Sequence, residues 1–198
     1  MTVLAAHAWR SNAELIADVA TLWIRPDDLV VDVTYGKGVW WRRYRPSRLV
    51  THDLALDGVD FRDLPEADAS VDVVAFDPPY VSTGGRKTST IGDFNRRYGL
   101  TDAPRSPVEL QQMINAGLVE ARRVLRPKGV ALVKVKDYVS SGSLWPGSHL
   151  TLTASLTLGF ELVDRFTRVG AAGPQPGGRR QVHARQNLST LLVLAARR

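Results

Sequence analysis

Cysteine is absent from all 198 residues, which excludes a disulfide-stapled scaffold, a Cys-ligated zinc or iron–sulfur centre and a thiol nucleophile. Histidine is scarce as well. The four histidines, at 7, 52, 149 and 183, lie without ligand spacing, so no metal site is expected. No stretch approaches the ~20 apolar residues that a membrane-spanning helix needs. The opening MTVLAAHAWRSNAEL lacks the basic-then-apolar order of a secretory leader, and a cytoplasmic chain is expected. Lysine is rare too, contributing five of the 26 basic residues. The remainder are arginines, whose planar fork suits phosphate oxygens and whose charge does not titrate. With a net charge of +6, this composition admits a polyanionic partner.

What is present is an ordinary globular composition, 44% hydrophobic and 23% charged, at a length that fits one domain over residues 1–198. Ala13–Trp23 sets Leu15, Ile16, Val19, Leu22 and Trp23 on one helical face behind a Ser11 or Asn12 cap. LVVDV (29–33), RLVTHDL (48–54), VDVVAFD (71–77) and VALVKVK (130–136) read as buried strands. Ser106-Pro107-Val108-Glu109 opens a second helix that runs to Leu125 before Pro127 and Gly129 stop it. Leu150–Leu158 reads as a third helix, with 160–166 and 188–195 as a closing strand pair. Strands alternating with helices predict a doubly wound, mostly parallel α/β sheet. Two loop insertions, 77–105 and 167–186, exceed the length of simple connections.

The chemistry concentrates at the ends of the strands, where open α/β sheets bind ligands. Asp32-Val33-Thr34-Tyr35-Gly36-Lys37-Gly38 follows the first strand, and Asp53 ends the second, placed to accept from ribose hydroxyls. Asp60-Phe61 precedes the next strand. The short interval from Gly38 to Asp53 predicts an abbreviated helix between them. A dinucleotide oxidoreductase is disfavoured, because position 41 is tryptophan where the third glycine of G-x-G-x-x-G belongs. Asp77-Pro78-Pro79-Tyr80 is the most specific signal. Two prolines fix the backbone and withhold two N–H donors, so a carboxylate and a carbonyl stand together as acceptors. An aromatic amine needs that pair, because its delocalised lone pair is a poor nucleophile until its N–H groups are drawn toward tetrahedral geometry.

The runs VVDVTYGKG, VDFRDLP, SVDVVAFDPPY and RVLRPKGVALVKV resemble the S-adenosylmethionine-dependent amino-group methyltransferases of the DPPY type, over roughly residues 11–195. Thr34 stands where many relatives carry glycine. The resemblance implies a class I, Rossmann-like, mostly parallel seven-stranded sheet with a C-terminal antiparallel strand, and S-adenosyl-L-methionine as cofactor. It implies Asp32, Thr34, Tyr35, Gly36 and Gly38 around the cofactor, Asp53 on the ribose, Asp60 on the adenine amino group, and Leu54 and Phe61 on its ring. It further implies Asp77 and the Pro78 carbonyl as acceptors of the substrate amine, Pro79 as a stiffener and Tyr80 as a stacking platform. The expected reaction is methylation of an exocyclic amine of a nucleic-acid base, adenine N6 in DNA first and an RNA base second. A non-catalytic nucleic-acid-binding subunit is the rival reading. Arg86, Lys87, Arg96 and Arg97 in the first long loop, and Arg179, Arg180, His183 and Arg185 in the second, are the expected nucleic-acid contacts. Trp40 and Trp41 read as packing behind the glycine loop, with Trp40 at the cofactor's edge as the other reading.

Overall fold

The computed structural model describes residues 9–80, 104–170, 181–184 and 186–197. Helix α1 (Asn12–Trp23) starts where Ser11 Oγ accepts the Glu14 N–H at 3.1 Å. Strand β1 (Leu29–Asp32) leads into a single 3₁₀ turn, Val39–Arg42, and strand β2 is Arg48–Thr51. Strand β3 (Val71–Phe76) precedes α2 (Pro107–Val124), whose Ser106 cap accepts the Glu109 N–H at 3.1 Å. Strand β4 (Leu125–Val135) continues into a small hairpin of β5 (Tyr138–Ser140) and β6 (Ser143–Trp145). Helix α3 (Gly147–Thr157) and strands β7 (Phe160–Val169) and β8 (Leu188–Ala196) complete the described elements.

The main sheet has the order β2-β1-β3-β4-β8-β7. Strands β2, β1, β3 and β4 are parallel, and β8 runs antiparallel to both β4 and β7. Apolar side chains alternate across it. Val30, Val73, Ala75 and Leu132 pack with α1 and the 3₁₀ turn, while Val31, Val74, Phe76, Val133 and Val135 pack with α2. Both faces are covered, as a doubly wound sheet requires.

Six strands, not seven, form this sheet among the described residues. The stretch 52–70 offers no β-branched run, and its aspartates divert the backbone into turns. Asp53, Asp57 and Asp60 each accept the N–H two residues on, from Ala55 at 2.9 Å, Val59 at 3.1 Å and Arg62 at 2.9 Å. That local bonding competes with a strand ladder. The abbreviated helix after Gly38 is the 3₁₀ turn. Other features differ from expectation: α2 ends before Leu125, where β4 already begins ahead of the expected Val130; α3 starts at Gly147 rather than Leu150; β7 runs on to Val169, so 167–169 are strand and not loop; and the β5–β6 hairpin is additional.

Candidate active site

Strand alternation gathers the site on the α1 face at the carboxyl ends of the parallel strands. Asp32 shares the face of Val30, and β4 residue Lys134 shares the face of Leu132. Phe76 pairs with Val133, so Asp77 leaves β3 beside Lys134. The Asp77 N–H donates to Thr34 Oγ1 at 2.7 Å, tying the Asp77-Pro78-Pro79-Tyr80 turn to the glycine loop. The indole N–H of Trp40 donates to Asp77 Oδ2 at 3.1 Å, and Lys134 Nζ stands 3.5 Å from Oδ1. Lys134 is only 2% exposed. Its Nζ also lies 3.3 Å from the Tyr80 hydroxyl and 4.9 Å from the centre of the Tyr80 ring. Pro78 and Pro79 are buried, and Asp77 and Tyr80 are half-buried.

Asp32 is buried beneath this cluster. It accepts the Thr34 N–H at 3.0 Å and the Trp41 indole N–H at 2.7 Å, so its two oxygens shape the loop. Burial pushes its carboxyl up to about 7. The Thr34 and Trp41 bonds oppose that rise, and the charges of Asp77 and Asp53 add to it. Tyr35 folds back under Gly38. A Cβ at Gly38 would come within 2.6 Å of the Tyr35 hydroxyl, and its φ of +60° is the left-handed region, so glycine is required twice over.

Toward β2 the groups are more open. Asp53 Oδ2 accepts the Gly36 N–H at 2.9 Å while Oδ1 accepts that of Ala55, which sets a carboxylate beside the glycine loop. Leu54 beside it is half-buried. Asp60 is gripped by the Arg62 guanidinium through both oxygens. Burial pushes the Asp60 carboxyl up, but the Arg62 bonds outweigh it and hold it below the ordinary carboxylate range. Phe61 rests on Phe76, ring centres 5.1 Å apart, with one edge over Gly117. His52 holds the following loop through Glu66 at 2.7 Å.

On the opposite face, Tyr80 borders a small crevice walled by Gln111, Ile114, Val135, Tyr138 and Trp145. Lys136 stands at it, its ammonium pushed below the usual lysine range by burial and then by the charge of Lys134. His183 Nε2 lies 2.7 Å from the Gly142 carbonyl, joining its segment to the β5–β6 turn. Arg86, Lys87, Arg96, Arg97, Arg179, Arg180 and Arg185 lie outside the described residues.

Two residues that contact Asp77 escape the sequence reading. There, Lys134 is only part of a strand, and Trp40 is packing or a cofactor edge. Strand alternation carries a signal for the first: a lysine on an inward position of a central strand demands a partner.

No family model matches the chain, and no curated protein is similar to it in sequence. Solved structures match it in shape. The [4+2]-cyclase SpnF is 14% identical, with a TM-score of 0.55 over 99% of this chain and 88% of that one. A Thermus thermophilus protein assigned as a DNA modification methylase, complexed with S-adenosyl-L-methionine, is 17% identical, with a TM-score of 0.46 over 70% of this chain and 51% of that one. The cytosine-N4-specific PvuII DNA methyltransferase is 14% identical, with a TM-score of 0.47 over 66% and 44% of the two chains. The chain therefore spans about half the length of the DNA methylases it resembles. The likeness to SpnF establishes the fold.

Proposed function

We propose that this chain is an S-adenosyl-L-methionine-dependent methyltransferase acting on an exocyclic amino group of a nucleic-acid base, with adenine N6 in DNA the first candidate. A fold shared with a cyclase does not decide the chemistry, so the site has to carry the argument. The observation that carries it is the position of Asp77-Pro78-Pro79-Tyr80, tied through Thr34 to the loop that Asp53 anchors. The residues present fit the cofactor. Asp53 keeps acceptor capacity after its bonds to Gly36 and Ala55, since a carboxylate has about four lone-pair sites. That capacity suits a ribose diol. Thr34, Tyr35, Gly36 and Gly38 would hold the methionine side, Leu54 and Phe61 the adenine ring, and Asp60 its amino group.

When bound, S-adenosyl-L-methionine supplies an electrophilic methyl group. The chain's own residues prepare the acceptor. Asp77 and the Pro78 carbonyl take hydrogen bonds from the base's N–H groups, which localises the nitrogen lone pair and aims it. Tyr80 carries the base by stacking, and the two prolines keep both acceptors in place. A base in duplex must leave the stack to reach Asp77, at a cost of a few kcal/mol. Arginines 86, 96, 97, 179, 180 and 185 with Lys87 and His183 are proposed to hold the phosphates. The test is transfer of a labelled methyl group onto DNA and RNA followed by nucleoside identification. N6-methyladenine from DNA is the expected product. Label in RNA alone would move the substrate class, and no transfer to either would reject the reading.

A further inference from the structure

We propose that Lys134 is a positioning residue for the substrate amine, holding Asp77 in its charged, accepting form and fixing the Tyr80 ring beside it. The inference rests on the reading of Asp77 as amine acceptor and deepens it. Lys134 sits on β4 with β3 on one side and β8 on the other, opposite Leu191, and is 2% exposed. Stability does not account for a lysine there. Replacing a buried ion pair with apolar residues is often neutral or stabilising. It is also too enclosed to serve as a phosphate contact.

Its geometry singles out two groups of the proposed reaction at once. One ammonium stands 3.5 Å from Asp77 Oδ1, 3.3 Å from the Tyr80 hydroxyl and 4.9 Å from the Tyr80 ring centre. Among the contacts between described residues, the others that Asp77 makes are with uncharged groups. Trp40 and Thr34 bring uncharged groups to Asp77, and Asp32 on β1, with Asp53 beyond β2, adds negative charge to the same region. Without a cation, a half-buried carboxylate next to Asp32 is driven to take a proton. A protonated oxygen is a donor, and it would then face the N–H of the amine it has to accept. Lys134 therefore keeps Asp77 an acceptor, and its hold on Tyr80 sets the stacking plane against that acceptor.

The experiment uses aspartate labelled with ¹³C at the carboxyl, with the Asp77 signal identified by its loss in Asp77→Asn. Wild type, Lys134→Met and Lys134→Arg are titrated, and the pH dependence of turnover is followed in parallel. Asp77 is expected to be ionised at neutral pH in wild type. Its midpoint should rise by about one pH unit or more in Lys134→Met, the effect of losing an opposite charge within ~4–6 Å, and should return in Lys134→Arg. The acid limb of the turnover profile should move with it, while the salt dependence of nucleic-acid binding stays put. A lysine with a merely structural role would lower turnover at every pH and leave the limb in place. An unmoved midpoint in folded Lys134→Met, or an Asp77 already protonated at neutral pH in wild type, overturns the proposal. Should Lys134→Met fail to fold, the wild-type titration and Lys134→Arg decide. Absence of methyl transfer by wild type would remove the proposed reaction, yet the Asp77 midpoint would still show whether Lys134 governs that carboxylate.

Discussion

The carboxyl edge of the sheet holds two acidic regions built on opposite plans. Beyond β2, Asp53, Asp57 and Asp60 lie in consecutive turns and are satisfied by backbone N–H groups, by Arg62 or, at Asp57, by His52 as well, nearly all within a few residues. Gly36 is the exception. At the ends of β1 and β3, Asp32 and Asp77 are bound by indole and ammonium groups as well: Asp32 accepts from Thr34 and from Trp41 nine residues on, while Asp77 meets Trp40, Thr34 and Lys134 from 37 to 57 residues away. The first region is a rim that can be altered piece by piece. The second is a buried polar network, in which removing one member strands the others.

The widest gap between the two regions should appear at Asp77. Asp77→Asn keeps the side chain's shape but puts an amide in place of the anionic acceptor. Turnover should fall by at least ~10²-fold, with cofactor affinity in calorimetry nearly intact. Asp77→Ala should in addition leave the buried Lys134 ammonium without its carboxylate, with only Tyr80 beside it. Breaking a buried pair costs about 3–5 kcal/mol, to be read from denaturant midpoints. Activity of Asp77→Asn within a few-fold of wild type would erase the distinction between centre and rim.

The same contrast explains what could be read in the sequence. Rim features and caps are local: Ser11 and Ser106 cap their helices as their neighbours imply, and the helix between Gly38 and β2 is indeed cut down to a 3₁₀ turn. Each strand read from an apolar run is present. The seventh strand failed because it came from the resemblance, whereas Asp57 and Asp60 commit that stretch to turns. The β5–β6 hairpin is three residues a side and too short for periodicity, although Ser141-Gly142 marks its turn. Lys134 and Trp40 meet Asp77 from 57 and 37 residues away. Only the sheet register and the path of the glycine loop bring them there, and no local pattern encodes that meeting.

On the rim, the largest effect should come from Asp53. Asp53→Ala should weaken S-adenosyl-L-methionine by about 1.5–3 kcal/mol, the range for hydrogen bonds to a charged acceptor. Turnover at saturating cofactor should be largely kept, because Asp53 does not touch the reacting amine. Unchanged affinity would assign the ribose to another residue. Thermal stability should drop far less than in Asp77→Ala, since water can replace the carboxylate at the open Gly36 N–H.

Asp32 lets the buried network be tested through pH. Its carboxyl is raised to about 7 by burial, so the native chain keeps a proton that the unfolded chain has already released. Stability due to this group therefore falls as pH rises from the ordinary carboxylate range to about 7, and is flat above it. Asp32→Asn should be less stable throughout, since its amide N–H₂ must meet the N–H of Thr34 or Trp41, but it lacks that slope. The stability gap between wild type and Asp32→Asn should consequently narrow across the window. A constant gap in denaturant titrations would mean that Asp32 is ionised in the folded chain, like the aspartates of the rim.

The smallest effect separates two uses of Asp60. Arg62 holds it through both oxygens, yet the arginine side chain is 41% exposed, and an ion pair so placed contributes about 0–1 kcal/mol. Arg62→Ala should therefore leave the melting temperature almost unchanged. If Asp60 also receives the adenine amino group, Asp60→Ala should weaken the cofactor by about 0.5–1.5 kcal/mol, the net worth of one hydrogen bond. Arg62→Ala should leave that affinity as it was or slightly improve it, because it frees acceptor capacity on Asp60. If the carboxylate serves only to hold its own turn, the two variants should behave alike, each losing a little stability and neither changing cofactor affinity. Calorimetry on the pair distinguishes these cases, since the ligand-facing role alone splits the carboxylate from its guanidinium partner.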